Sequence, residues 1–184
     1  MKAYSQEAAL LLHYHSAEIY LYEIGFQGLP DQANLQQLEV LNSCLGSTKS
    51  WFDAYLSIPP QICDFTLTSI GLLQFRHALR ILFKLSSDNI PGWDTGYVQE
   101  FVGLPNVLDL LAQRIEEITK NRSINRTSDG CEDDVFTILV RRLRWASNWY
   151  LHKTDNEQMT ASQLDKWVTG DIFGFLDESF WEKP

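Results

Sequence analysis

The positions of six prolines constrain the fold most strongly, because none of them interrupts a segment with helical periodicity. They stand at residues 30, 59, 60, 91, 105 and 184. Between them, apolar residues recur every three or four positions, which is typical of amphipathic helices. Pro ends or kinks a helix and is tolerated only in its first turn. The chain is therefore predicted to be a series of helices that are separated at these points.

The apolar pattern predicts helices over residues 5–24, 31–56, 66–85, 94–102, 108–118 and 134–150. The third is the most apolar, and its polar stripe consists only of Arg76, Arg80 and Lys84. Such a helix is expected in the middle of a bundle. No stretch alternates with period two for long enough to form a sheet. We therefore predict an all-α fold, a single helical bundle of about six helices with a short acidic-aromatic C-terminal helix.

The 184 residues are enough chain for one sizeable core. We predict a helical domain over residues 1–151 that contains a mobile loop at 120–133, where apolar side chains are almost absent. A polar linker is predicted over 152–163, followed by an acidic-aromatic segment over 164–184.

The charge balance excludes several classes of function. There are 15 basic and 24 acidic residues, which gives a net charge of −9, whereas autonomous nucleic-acid-binding domains carry the opposite sign. Direct nucleic-acid binding is therefore not expected. No segment has the length of a membrane span or the pattern of a signal peptide. We expect no membrane association and an intracellular protein with reduced cysteines.

Motifs for catalysis and for metal binding are missing from the sequence. Cys44, Cys63 and Cys131 do not have metal-type spacing. No nucleophile elbow, phosphate-binding glycine loop or His-Glu-x-x-His motif occurs. We therefore predict no catalytic residue, no metal site and no cofactor, and we expect that the protein is not an enzyme.

One histidine remains a candidate for ligand binding. His77 lies between Leu73 and Ile81 on the most apolar predicted helix. It is interpreted either as a neutral, hydrogen-bonded core histidine or as a polar group that lines a ligand pocket. In the second interpretation Arg76 or Arg80 stands near the mouth of that pocket.

The end of the chain is a candidate for partner binding. Acidic residues alternate there with large apolar ones, and the candidate contact residues are Ile172, Phe175, Leu176, Phe180 and Trp181. Segments of this kind fold into grooves on partner proteins. The same segment would equally serve as a last helix that docks on the parent bundle, and both interpretations stay open.

Several short segments follow one another in a recognisable order. They are Leu11-Leu12-His13-Tyr14-His15-Ser16-Ala17-Glu18 with Glu23-Ile24-Gly25, Ser57-Ile58-Pro59-Pro60, Pro91-Gly92-Trp93-Asp94 with Tyr97-Val98, Leu108-Asp109 and Leu111-Ala112-Gln113-Arg114, Asp133-Asp134-Val135-Phe136, and Phe175-Leu176-Asp177-Glu178-Ser179-Phe180-Trp181. Taken together, this ordered set resembles the C-terminal regulatory region of fungal binuclear zinc-cluster transcription factors.

The resemblance does not extend to the DNA-binding element of that family, which needs six zinc-bound cysteines where this chain has three scattered ones. The metal ligands of the family therefore transfer to no residue here. The resemblance implies that residues 1–151 are a regulatory domain without the DNA reader. It also implies a role in controlling transcription of nutrient or secondary-metabolite genes, in the nucleus, with the cytoplasm as the alternative location.

Three hypotheses about function follow. The first is a non-enzymatic transcription-regulatory protein that acts through protein contacts, with a co-regulator or by self-association, and through a small-molecule effector. The second is a small cofactor-independent helical enzyme of secondary metabolism that reuses this scaffold, with His77 as its acid or base in an apolar pocket. The third is the remnant of a longer regulator without independent activity.

Overall fold

The structure is a computed structural model that describes residues 2–27, 35–59, 69–87, 90–123, 135–152 and 170. These ranges contain six α-helices, one 3-10 helix and no β-strand, so the predicted all-α fold is confirmed. The total number of helices, the limits of the predicted domains and the acidic-aromatic C-terminal helix depend on residues outside these ranges and stay predictions. Within the described ranges, no helix combines the length and the apolar character that crossing a bilayer requires.

The helices begin and end close to the predicted positions. Their bounds are α1 Lys2–Tyr22, η1 (3-10) Glu23–Gln27, α2 Leu35–Ser57, α3 Ser69–Ser87, α4 Thr95–Phe101, α5 Leu104–Ser123 and α6 Val135–His152. The described residues form two compact units, one up to Leu104 and one from Pro105 onward. Each unit is described by itself.

In the first unit, α1 and α2 run in opposite directions and are joined by polar side chains as well as apolar ones. The indole N–H of Trp51 donates to Oγ of Ser16 over 2.9 Å, and Oγ of Ser47 donates to Oε2 of Glu18 over 3.2 Å. Gly25 in η1 lies close against α2, since a Cβ there would lie 3.0 Å from Cγ1 of Val40. These contacts fix which side of α1 faces the core.

Aromatic side chains fill the core of the first unit. Trp51 and Tyr55 stack with ring centroids 5.5 Å apart, and Phe75 of α3 packs against Tyr55 at 5.7 Å. Cys44 is buried on α2, and burial raises the pKa of its thiol to about 12. The core therefore draws on α1, α2 and α3. Ile70 and Leu73 of α3 are nevertheless 60% and 57% exposed, so this helix is less enclosed than its apolar pattern predicts.

The short helix α4 starts with a side-chain cap at Asp94. Gly92 takes a positive φ of 81° in the preceding turn, which Gly adopts without steric cost. Oδ1 of Asp94 then accepts hydrogen bonds from the backbone N–H groups of Gly96, at 2.9 Å, and Tyr97, at 3.2 Å. Side-chain capping of this kind satisfies N–H groups that have no partner inside the helix.

The second unit has an aliphatic core, and its helix α5 corrects one boundary. The helix continues through Ser123, so residues 120–123 are helical and the loop predicted over 120–133 does not begin at 120. Polar residues alone do not end a helix when neither Pro nor Gly is present. The rest of that predicted loop lies outside the described residues. The buried core of the unit includes Leu108, Leu111, Leu143 and Ala146.

Candidate functional site

Helix α1 is apolar on two opposite sides, and only one of them is buried. Leu12 and Ile19, seven residues apart, are completely buried, and Ser16 between them is 4% exposed. This side faces the core of the first unit. The opposite side also consists of apolar residues, but they are exposed. A soluble helix with one packed side normally presents polar residues on the other, so α1 departs from that pattern.

We refer to this exposed side as the α1 outer face. Its large apolar residues are between 50% and 70% exposed, and all its members are exposed positions without a charged side chain. Its members are Leu10, Leu11, His13, Tyr14, Ala17, Tyr20 and Leu21 of α1 and Ile24 of η1.

The centre of the α1 outer face follows a heptad spacing. Leu10, Tyr14, Ala17, Leu21 and Ile24 are separated by four, three, four and three residues. Residues at this spacing form one continuous stripe along a helix, and the same stripe forms the contact seam of coiled coils. The buried Leu12 and Ile19 belong to a different line on the opposite side, so one helix carries two apolar stripes.

Apolar side chains of α3 lie next to this face. Ile70 is 60% and Leu73 is 57% exposed, and both share one side of α3 with His77 because they precede it by seven and four residues. The imidazole of His77 stacks on the ring of Tyr20, with centroids 3.8 Å apart and planes within 7°. The exposed side of α3 therefore adjoins the α1 outer face within the first unit.

Four polar residues meet where α1 and η1 contact α3: Tyr20, Glu23, His77 and Arg80. We refer to them as the His77 cluster. Nε2 of His77 lies 3.6 Å from Oε2 of Glu23, and NH1 of Arg80 lies 3.4 Å from Oε1 of the same carboxylate. His77 is 8% exposed, and its Nε2 makes no hydrogen bond within the described part of the chain. Burial, together with the positive charges of Arg80 and Arg76, lowers the pKa of His77 to about 4.

The structure thus brings two of the three ligand-pocket candidates together. His77 and Arg80 both approach Glu23. The contribution of Arg76 is its positive charge, which lowers the pKa of His77. The Tyr20 ring covers one face of the imidazole, and at neutral pH the imidazole is uncharged, because its pKa is about 4. The ligand-pocket hypothesis stays a prediction, and the described contacts give His77 a packing role between α1 and α3.

A groove between α5 and α6 lies in the second unit. Its volume is about 280 Å³, and it is lined by Glu116, Thr119, Lys120, Thr137 and Val140. This volume is slightly below the range of about 300–1,000 Å³ for small-molecule sites, and of the described candidates His77, Arg76 and Arg80 none lines it. The described residues contain no group of three His, Cys, Asp or Glu side chains that could hold a metal ion.

The predicted partner-binding residues belong to the last part of the chain. Ile172, Phe175, Leu176, Phe180 and Trp181 lie outside the described residues, so their role stays a prediction. The α1 outer face, in contrast, was missed by sequence reasoning. The seven-residue recurrence of Leu12, Ile19 and Phe26 predicted the helix, and a second recurrence at residues 10, 14, 17, 21 and 24 would have indicated the exposed stripe.

Comparison with known proteins relates the chain to a protein family and to a fungal protein. A family model described as ATEG07667_C, C-terminal domain, matches residues 67–181, which is more than half of the chain. The chain is also 28% identical, over 160 residues, to a protein of Penicillium oxalicum named transcription factor opdL. This alignment covers 84% of the chain but only 27% of opdL, so the chain spans about a quarter of that relative's length. No solved structure matches.

Proposed function

Because the chain belongs to the ATEG07667_C C-terminal domain family, we propose that it is a non-enzymatic regulatory region related to fungal zinc-cluster transcription factors. It acts in the nucleus through contacts with proteins. The similarity to a fungal transcription factor along 84% of the chain supports the setting in transcription. The relative is almost four times as long as the aligned part, which supports a role as one portion of a regulator's machinery.

The observation that carries the proposed mode of action is the α1 outer face. Its large apolar side chains are at least half exposed, and none of the exposed positions between residues 10 and 24 carries a charge. Contiguous exposed apolar patches on soluble proteins mark sites of protein–protein interaction. A contact surface of this kind suits a protein that works by binding rather than by chemistry.

The His77 cluster supports a packing role more than a catalytic one. A general acid or base works best when its pKa lies near the working pH, and the pKa of His77 is about 4. The stacked Tyr20 ring also covers one face of the imidazole. The groove beside Thr119 and Val140 is the place where we expect a small-molecule effector to bind.

The proposed function is tested by fusing the whole chain to a foreign DNA-binding domain in a fungal host that carries a reporter gene. We expect the fusion to change reporter expression several-fold relative to the DNA-binding domain alone. Replacing Leu21→Glu in the α1 outer face should reduce this change, and so should the double replacement of Phe180→Ala and Trp181→Ala in the predicted partner-binding tail.

The matched control is Leu110→Glu, which places the same charge on an exposed leucine of α5. It should leave the response of the reporter unchanged. The proposal is wrong if the intact fusion accumulates in the nucleus to normal levels and reporter expression stays at the level given by the DNA-binding domain alone.

A further inference from the structure

We infer that the α1 outer face binds the α1 outer face of a second copy of this chain, which makes the protein a homodimer. The inference rests on the proposed function only in treating this face as a contact surface, and it names the partner. The heptad spacing, the area, the charge distribution and the residue at the centre of the face support it.

The spacing of the exposed stripe is that of a helix that pairs with another helix. Leu10, Tyr14, Ala17, Leu21 and Ile24 occupy the two apolar positions of successive heptads, and such residues insert between those of a facing helix. A dimer with two-fold symmetry uses the same patch on both copies, so the patch must complement itself. A straight apolar stripe meets that requirement.

The exposed area is sufficient for a stable dimer. Eight large apolar residues, six on the α1 outer face together with Ile70 and Leu73 of α3, are between 50% and 70% exposed. A Leu, Ile or Tyr side chain in that state presents on the order of 100 Å². Together they present on the order of 800 Å², which is about the area that each partner contributes to a standard interface. Such a patch is larger than the roughly 300–600 Å² found on typical monomers.

The distribution of charge favours contact between copies at this face. The chain carries a net charge of −9, so two copies repel each other over most of their surfaces. Between residues 10 and 24 no exposed position carries a charge. The charged groups beside the face are Glu7, which is exposed one turn before the first stripe residue, and the half-buried Glu18, which contacts Tyr14. The bordering Glu18 is engaged on its own molecule, where its carboxylate lies 2.9 Å from Nδ1 of His15 and accepts a hydrogen bond from Ser47.

The centre of the stripe is its smallest residue. Ala17 lies two stripe positions from each end, which are Leu10 and Ile24. When two such stripes pair about their centres, Ala17 of one copy faces Ala17 of the other, whether the helices run parallel or antiparallel. The small side chain lets the two helices approach closely at this point, while the larger residues pack above and below it.

The first test measures the mass of the whole purified chain by sedimentation equilibrium over a range of concentrations. We expect a concentration-dependent dimer, at least tenfold weaker association for Leu21→Glu, and unchanged association for the control Leu110→Glu. Circular dichroism of each variant checks that it remains folded. A wild-type chain that stays monomeric at about 100 μM, or a folded Leu21→Glu variant that associates like wild type, would overturn the inference.

The second test uses a thiol at the centre of the stripe. We expect the Ala17→Cys variant to form covalent dimers under mild oxidation, whereas Gln113→Cys, at an exposed position of α5, does not. Both variants retain the three native cysteines, so the comparison isolates the new thiol. Equal cross-linking of both variants, or none by Ala17→Cys, contradicts the proposed arrangement.

Salt separates apolar association from charge pairing. Raising the ionic strength from about 0.01 M to about 0.15 M screens the repulsion between two acidic chains, so the dimer should become tighter. Dissociation on adding salt would show that ion pairs hold the copies together, which the α1 outer face cannot supply.

The two proposals can fail separately. A dimer that depends on Leu21, observed together with an inert reporter fusion, would contradict the proposed function and keep this inference. A monomeric chain together with an active reporter fusion would contradict this inference alone.

Discussion

Helices α1 and α5 have nearly the same length, 21 and 20 residues, and both bury one side in a core. Their exposed sides differ. The exposed positions of α5 up to residue 120 are polar except for one leucine, and they are Asn106, Asp109, Leu110, Gln113, Glu117 and Lys120. Among the described exposed positions of α1, Glu7 carries a charge, and the others are almost all apolar.

This difference shows how much of each helix the folded unit explains. The polar side of α5 is the ordinary outcome for a helix that meets water, and it needs no partner. The apolar side of α1 leaves large side chains in water, which the core of the first unit does not require. Folding alone therefore accounts for α5, whereas α1 has a second apolar stripe that points to a second binding event.

The largest expected effect comes from truncating each apolar stripe of α1 in turn. Leu12→Ala removes a completely buried side chain and should lower the free energy of unfolding by about 2–5 kcal/mol. Leu21→Ala, at a residue 69% exposed, should change it by no more than about 0.5 kcal/mol. Urea denaturation at a concentration where the chain is monomeric measures both. Equal losses would mean that the folded unit buries both stripes, and the contrast with α5 would disappear.

A second prediction concerns the contact between Tyr20 and His77. The pKa of His77 is about 4 in the folded chain and about 6.5 in the unfolded chain. Above about pH 7 the imidazole is neutral in both states. As the pH falls from about 6.5 to 4, the unfolded chain takes up the proton first, so stability is lost, by about 2 kcal/mol at pH 5.

The measurement compares urea denaturation at pH 7 and pH 5. His77→Phe keeps an aromatic ring against Tyr20 and should remove this part of the pH dependence, whereas His152→Gln, at an exposed position, should retain it. A pH dependence of the same size in His77→Phe would show that other groups cause it. In that case the loss of stability at pH 5 would not report the burial of His77 against Tyr20.

The smallest expected effect concerns the polar surface of α5. NH2 of Arg144 lies 2.9 Å from Oε2 of Glu116, and both side chains are substantially exposed. Exposed pairs contribute about 0–1 kcal/mol, so a double-mutant cycle with Glu116→Gln and Arg144→Gln should give a coupling free energy below about 1 kcal/mol that decreases as salt is added. A larger coupling free energy would show that the polar side of α5 contributes to the stability of the fold through this ion pair.

The local parts of the fold were predictable from the sequence. The Asp94 cap of α4 depends on atoms within three residues of each other, so the start of this helix at about residue 94 was predictable from the local sequence. The stripe of Arg76, Arg80 and Lys84 likewise marks a line of α3 that stays partly accessible, since all three residues are half-buried. Each of these features depends on short spacings along one helix or turn.

The contacts of the candidate site were not predictable, because they depend on how helices distant in sequence pack together. His77 and Arg80 meet Glu23, and the residues of the second pair are 57 positions apart. The seven-residue spacing of Leu12 and Ile19 lies on the buried side of α1, whereas the second, exposed apolar side was not recognised from the sequence. The polar cross-links to α2 through Ser16 and Glu18 orient the helix, and a hydrophobic pattern does not record such links.

The reactivity of the buried Cys44 thiol can be used to measure local opening of the first unit. With a pKa of about 12, the thiol stays protonated at neutral pH, and only the thiolate reacts readily with electrophiles. Modification of this sulfur must therefore wait until the buried side of α2 opens to solvent. The rate at which a thiol reagent consumes Cys44 thus reports how often that opening occurs.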